Sequence, residues 1–205
     1  IIEDKILKKL LSGLCVLSAA LSASPLLADE YANIRDKLQV CFTCHGPLGT
    51  STGAGESRIH KRPYPILAGQ HYYYLYTQLK DFKAGRRENP EMSPMAANLT
   101  KEEMQALAKF FSEQAWPNIG FVSDPDKAAR GEVTAASGQC VQCHLGGYEG
   151  VSGVPRLAGQ DPEYLRQTML DYKSKARANA PAKSSLMGAL SDEDLENLAE
   201  FLGGF

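Results

Sequence analysis

Cys41-Phe42-Thr43-Cys44-His45 and its return as Cys140-Val141-Gln142-Cys143-His144 decide how this chain folds. Two thiols three positions apart share one helical turn, so each can add to a vinyl group of the same haem. The adjacent His then reaches the iron from the proximal side, a standard axial ligation. A zinc half-site or a redox pair is the competing meaning of a single C-x-x-C. Two copies, each followed by His in a chain with four His, argue against it. A zinc ribbon would also place its second pair within roughly twenty residues, whereas 99 residues separate these two motifs. Two covalently bound haem c groups are therefore expected, held through Cys41, Cys44, Cys140 and Cys143, with His45 and His144 as proximal iron ligands.

Working outward, the first 28 residues differ from the rest. Lys5, Lys8 and Lys9 precede an apolar run from Leu10 to Leu21, and Ser24-Pro25-Leu26-Leu27-Ala28 follows. That order reads as a secretory signal peptide over 1–28, cleaved after Ala28. The apolar run falls short of the ~20 residues a membrane-spanning helix needs, which leaves an uncleaved anchor, and with it membrane association, as the lesser reading. Cys15, the odd cysteine of five, lies in this segment. The other four belong to the haem motifs, so no disulfide framework remains. A leader together with haem attachment points to the periplasm. Without the leader the balance is 19 basic against 22 acidic residues, which offers no basic stripe for nucleic acid.

From Asp29 onward one unit is written twice. Glu30–Val40 places Tyr31, Ile34 and Leu38 at helical spacing and leads into Cys41. A loop rich in Gly, Ser and Thr follows, then Pro65-Ile66-Leu67-Ala68-Gly69-Gln70. Leu75, Leu79 and Phe82 repeat as one buried helix face. A polar segment with Asn89, Met92 and Met95 precedes a last helix, where Thr100 and Glu103 form a capping box and Met104, Leu107, Ala108 and Phe111 make the apolar stripe. The second copy runs through a helix over 127–139, Pro155-Arg156-Leu157-Ala158-Gly159-Gln160, a helix opened by Asp161 and Pro162, and a Ser191/Asp194 cap with Leu195, Leu198, Ala199 and Leu202. The haem motifs are offset by 99 and the Pro-to-Gln strings by 90, so the first copy holds about nine extra residues between them. Repetition at this length predicts two domains of the same fold, 29–115 and 127–205, joined by a linker over 116–126.

These features resemble the dihaem cytochrome c4 family: C-x-x-C-H, a P-x-L-A-G-Q string, a Tyr-Leu helix, an N-x-x-M segment and an L-[ST]-x-x-[ED] helix, over essentially all of the chain after the leader. The resemblance implies an all-α fold of two class I cytochrome c domains in tandem, each a few helices around one haem, with the propionate edges close together. It implies transfer of single electrons from a membrane donor complex toward a terminal oxidase or reductase.

The sixth iron ligand separates the two copies. Met92 and Met95 compete in the first, and the resemblance implies Met92, seven residues before Leu99. In the second copy Lys183 stands seven residues before Leu190, and the only methionine of that loop is Met187. Lys183 and Met187 both remain candidates. His60 and His71 are read as surface residues. The runs Lys80–Arg87 and Lys173–Arg177 are read as solvated helix ends, with a basic rim for an acidic redox partner as the sharper alternative. The leading function is a periplasmic dihaem electron carrier with no further chemistry. The alternative is a redox enzyme of thiosulfate dehydrogenase or peroxidase type, or the subunit that accepts electrons from one; the Lys183/Met187 loop is its only opening.

Overall fold

In the computed structural model, the described residues are 30–51 and 64–205. The proposed leader and His60 lie outside them. Nine α-helices are found among the described residues: α1 Arg35–His45, α2 Tyr72–Lys83, α3 Met92–Ala97, α4 Lys101–Ser112, α5 Pro125–Ser137, α6 Val141–His144, α7 Pro162–Lys173, α8 Pro181–Gly188 and α9 Asp192–Gly203. An isolated bridge between Val151 and Val154 is the only extended pairing described.

The predicted caps set the helix starts. Thr100 Oγ1 accepts from Glu103 N, and the Glu103 carboxylate accepts from Thr100 N, closing the capping box at α4. Ser191 and Asp194 repeat it at α9. Asp161 accepts from Tyr164 N ahead of Pro162; Asp124, expected in the linker, caps α5 in the same way, so that helix starts at Pro125 and not at Lys127. Such side chains satisfy amide groups that the first helical turn leaves without partners.

The helices then close in matching pairs. α2 packs on α3 and α4; α7 packs on α8 and α9. The apolar stripes fill the space between them: Leu75, Phe82, Met104, Leu107 and Phe111 in the first half, and Leu165, Met169, Tyr172, Leu195, Leu198 and Leu202 in the second, all buried.

The two first helices differ. α1 runs unbroken through Cys41 to His45, so it starts and ends later than the helix predicted over Glu30–Val40. The second copy breaks at Gly138 and Gln139 (φ 51°) and restarts as the short α6. α5 crosses α9 at Gly131, where a Cβ would lie 2.1 Å from the Asn197 carbonyl oxygen. Backbone on the far side cannot give way as a flexible side chain can. Gly131→Ala is therefore expected to destabilise the protein by about 3 kcal/mol, read as a lowered denaturation midpoint with both haems still attached.

Duplication extends to the loops. The Gly49 carbonyl accepts from Leu67 N and Ala68 N, and the Tyr148 carbonyl accepts from Leu157 N and Ala158 N. Gly69 N donates to Phe111 O, and Gly159 N to Leu202 O. Size is exchanged between partners at this point. A Cβ on Gly49 would meet the Phe111 ring at 2.6 Å, whereas Tyr148 in the second copy faces the smaller Leu202 position and packs edge-on against Phe201 and Phe205. The nine extra residues of the first copy fall between Ser51 and Tyr64, where the described residues stop and resume.

Candidate functional site

Each Cys-His motif ends its helix with the His ring turned inward. His45 Nδ1 lies 3.0 Å from the Pro65 carbonyl and His144 Nδ1 lies 2.9 Å from that of Pro155. An imidazole that donates from Nδ1 leaves Nε2 free for a metal. His45 is buried, and its Nε2 is one of three side-chain polar atoms, among those described, that are buried with no partner. Burial lowers the pKa of both His45 and His144, against the opposing pull of the Pro65 and Pro155 carbonyls. Both rings are thereby kept neutral, the form that ligates iron. None of the four motif cysteines is tied up in a disulfide, so all four sulfurs are available for haem attachment.

The chain leaves each motif through a residue of positive φ. In the first copy it is Gly46 (φ 74°, ψ 170°), and in the second Leu145 (φ 65°, ψ 173°). That region is open to glycine almost alone. Leu145 is 38% exposed, so what its side chain buries offsets the backbone strain only in part. Leu145→Gly is expected to raise stability by about 1 kcal/mol, seen as a higher melting temperature.

Both motifs open onto one cavity of about 590 Å³ that runs through both halves. Its walls include Cys41, Cys44, His45, Met92 and Met95 on one side, and Cys140, Cys143, His144, Lys183 and Met187 on the other, with Leu75, Phe82, Leu107, Leu165, Met169 and Leu198 between. Apolar walls, two thiol pairs and a buried imidazole nitrogen without a partner are what a covalently tethered haem in each half requires. The residues present fit that group.

Across from the histidines the halves diverge. Met92 is the first residue of α3, and its N–H donates to Asn89 Oδ1 at 2.7 Å, which fixes the start of the helix. In the second copy Asn179 is turned away. Its amide donates to Asp81 and Gln78 of the first half, and its oxygen accepts from Arg177 and Tyr172. Without that cap α8 starts at Pro181 and is longer than α3. Lys183 and Met187, one turn apart, both line the cavity. Met187 is buried in the core of the second half. The Lys183 ammonium sits 5.7 Å from the Tyr172 ring centre. Burial, then the charges of Arg177 and Arg87, bring its pKa down to about 8. Met95 is largely exposed.

The two basic runs are not wholly solvated, contrary to the expectation from sequence. Arg177 is 4% exposed. It donates to Gln78 Oε1 and Tyr74 OH of the first half and stacks over Tyr172 at 4.5 Å. Arg87 reaches back to Tyr164 OH at 3.3 Å. Local sequence reads these residues as helix ends. Contacts from the other half, 77 to 103 residues away, draw them inside. The result is two guanidinium groups, Arg87 and Arg177, at the cavity wall, which could pair with the propionates of a bound haem. His71, expected at the surface, hydrogen bonds to the Glu149 carbonyl at 2.8 Å. Tyr73 is the exposed member of its triplet.

A helical unit closed around a proximal His behind a C-x-x-C pair, present twice, defines a tandem c-type cytochrome. Family models agree. "Cytochrome c" matches residues 36–114 and "Cytochrome C oxidase, cbb3-type, subunit III" matches residues 126–202. The chain is 34% identical over 196 residues to cytochrome c4 of Thiocapsa roseopersicina, covering 89% of this chain and 96% of that one. It is 35% identical over 174 residues to a thiosulfate dehydrogenase electron acceptor of Stutzerimonas stutzeri, covering 78% and 76%. The structure of reduced recombinant cytochrome c4 from Pseudomonas stutzeri superimposes with a TM-score of 0.71 at 28% identity, over 84% of this chain and 97% of that one. The protein belongs to the cytochrome c4 family, with two class I cytochrome c domains and two covalent haem c groups, and it is an electron carrier.

Proposed function

We propose that the protein shuttles single electrons in the periplasm between a membrane donor complex and a terminal oxidase or reductase. In this reading 29–115 and 127–205 are the two haem domains, 116–126 links them, and 1–28 is a leader. The observation that carries it is the pair of carbonyl-bound histidines facing one cavity that joins the halves, at His45 and His144. Cys41 and Cys44 hold the first haem and Cys140 and Cys143 the second. Met92, on the cavity wall, would be the second donor to the first haem iron. Lys183, on the register of Met92, would serve the second iron, with Met187 the competing donor one turn further on. When bound, the haems supply a one-electron ferric/ferrous couple.

The chain's own contribution is to hold the donor side chains in place. The Pro65 and Pro155 carbonyls fix the imidazole tautomer, and Asn89 fixes the helix that presents Met92. With His45 and Met92 to hold one haem iron and His144 and Lys183 the other, the chain would offer a donor on both sides of each, as an electron carrier without substrate binding requires. Redox titration should resolve two one-electron steps, and the ferrous protein should bind carbon monoxide negligibly. Turnover of thiosulfate or peroxide at roughly 1 to 1000 per second would instead make it an enzyme. The likeness to a thiosulfate dehydrogenase electron acceptor favours one particular donor. Rapid mixing with a reduced enzyme of that type should reduce both haems, and failure to do so would leave the respiratory complexes as the donors.

A further inference from the structure

Gln70 and Gln160, the closing residues of the two Pro-to-Gln strings, are each 3% exposed, and their side chains cross between the halves. Gln160 Oε1 accepts from Ile66 N at 2.9 Å, and Gln160 Nε2 donates to Ile66 O at 3.0 Å. Gln70 does the same to Arg156, accepting from its N at 2.9 Å and donating to its O at 3.0 Å. Each amide oxygen takes a second hydrogen bond from the residue that follows it, His71 N or Asp161 N. The side-chain oxygens are thus saturated and their direction is fixed.

The position of these contacts matters more than their number. The N–H of Ile66 and the carbonyl of Pro65 belong to one peptide group. That carbonyl is the acceptor of His45 Nδ1. A single planar amide therefore connects His45 of the first half to Gln160 of the second, and another connects His144 to Gln70 through Pro155 and Arg156. Hydrogen bonds in series polarise one another, and burial strengthens the effect. An acceptor on the amide N–H makes its carbonyl oxygen more negative, which strengthens the bond from Nδ1–H. A stronger bond there makes the imidazole a better electron donor to a metal at Nε2.

We infer that Gln70 and Gln160 are crossed positioning residues, each tuning the proximal histidine, and so the haem potential, of the half to which it does not belong. The inference rests on His45 and His144 being the proximal ligands. A glutamine that merely fastened the interface would have no such handedness.

The test uses the full-length protein with both haems. Gln160→Met and Gln70→Met keep side-chain length and remove the amide. Haem potentials are measured by redox titration. Proton signals of the ferric state are assigned to each haem through contacts with residues of its own half. Gln160→Met is expected to raise the potential of the first haem and shift its imidazole signals, leaving the second haem in place. Gln70→Met is expected to do the reverse. Gln160→Glu, which keeps an acceptor for Ile66 N–H and loses the donor to Ile66 O, is expected to abolish the upward shift. A shift in the variant's own half, or equal shifts in both, overturns the inference. Absence of imidazole coordination in the wild-type ferric spectrum overturns the ligand assignment beneath it instead, so the two failures are separable.

Discussion

The double variant Cys140→Ala/Cys143→Ala is expected to retain one haem per chain after denaturation, against two in the wild type, with the first haem's spectrum unchanged. Its second half should also lose fixed tertiary structure. The thiols are the only covalent anchors described there, and α7, α8 and α9 close on a space that their side chains do not fill. Leu165, Met169, Leu198 and Met187 all line the cavity of about 590 Å³. Half of that volume, at about 24 cal/mol per Å³, corresponds to roughly 7 kcal/mol. Total stabilities of domains are of the order of 5–15 kcal/mol. The loss is large enough to melt the half that has lost its haem. The first half keeps its own haem and stripe, while the crossed contacts of Gln70 and Gln160 lose a partner. Mass spectrometry gives the stoichiometry, and near-ultraviolet dichroism the packing. Two haems retained, or none, would contradict the assignment of one haem to each motif.

Much of this arrangement is written locally. The capping boxes at Thr100 and Ser191 and the stripes behind them need only a few consecutive residues to be read. The Pro-to-Gln repeat likewise marks where each half turns back toward its motif. What stays hidden depends on contacts between residues about 90 positions apart. Arg177 reads as an exposed helix end because the residues that satisfy it, Tyr74 and Gln78, lie in the other half. The two glutamines carried a signal that could have been used: the same residue type closes both strings at the same offset. An amide at the end of an apolar string is buried only if something there needs two hydrogen bonds. The partner of each was beyond reach of periodicity. The loop before Leu190 is the opposite case. Its sequence already posed the question of Lys183 against Met187, and the fold brings both to the cavity wall because they are one turn apart on α8.

That question has the sharpest expected result. Met92→Ala should abolish the sulfur-to-iron charge-transfer band of the ferric protein entirely, and Met187→Ala should leave it untouched. Register separates the two donors. Met92 opens α3 seven residues before Leu99, and Lys183 stands seven residues before Leu190 on α8. The position that matches Met187 in the first half is Ala96, which is wholly buried against the core and is not a ligand. Met187 itself sits in the core cluster of the second half, with Leu165, Met169 and Leu198. Lys183 lies where burial and the charges of Arg177 and Arg87 disfavour its ammonium form and bring its pKa down to about 8, so a neutral amine comes at modest cost. An amine nitrogen is a harder donor than a thioether and favours ferric iron, so the second haem should have the lower potential. Lys183→Ala should then perturb that haem alone, opening its sixth position to carbon monoxide or to Met187. Met187→Ala should mainly cost packing, about 2–5 kcal/mol for a buried methionine, without changing the iron spectrum. If Met187→Ala instead removes one of two sulfur bands, α8 is turned so that its second donor faces the iron. Both haems are then His/Met, and Lys183 is a half-buried neighbour of Tyr172.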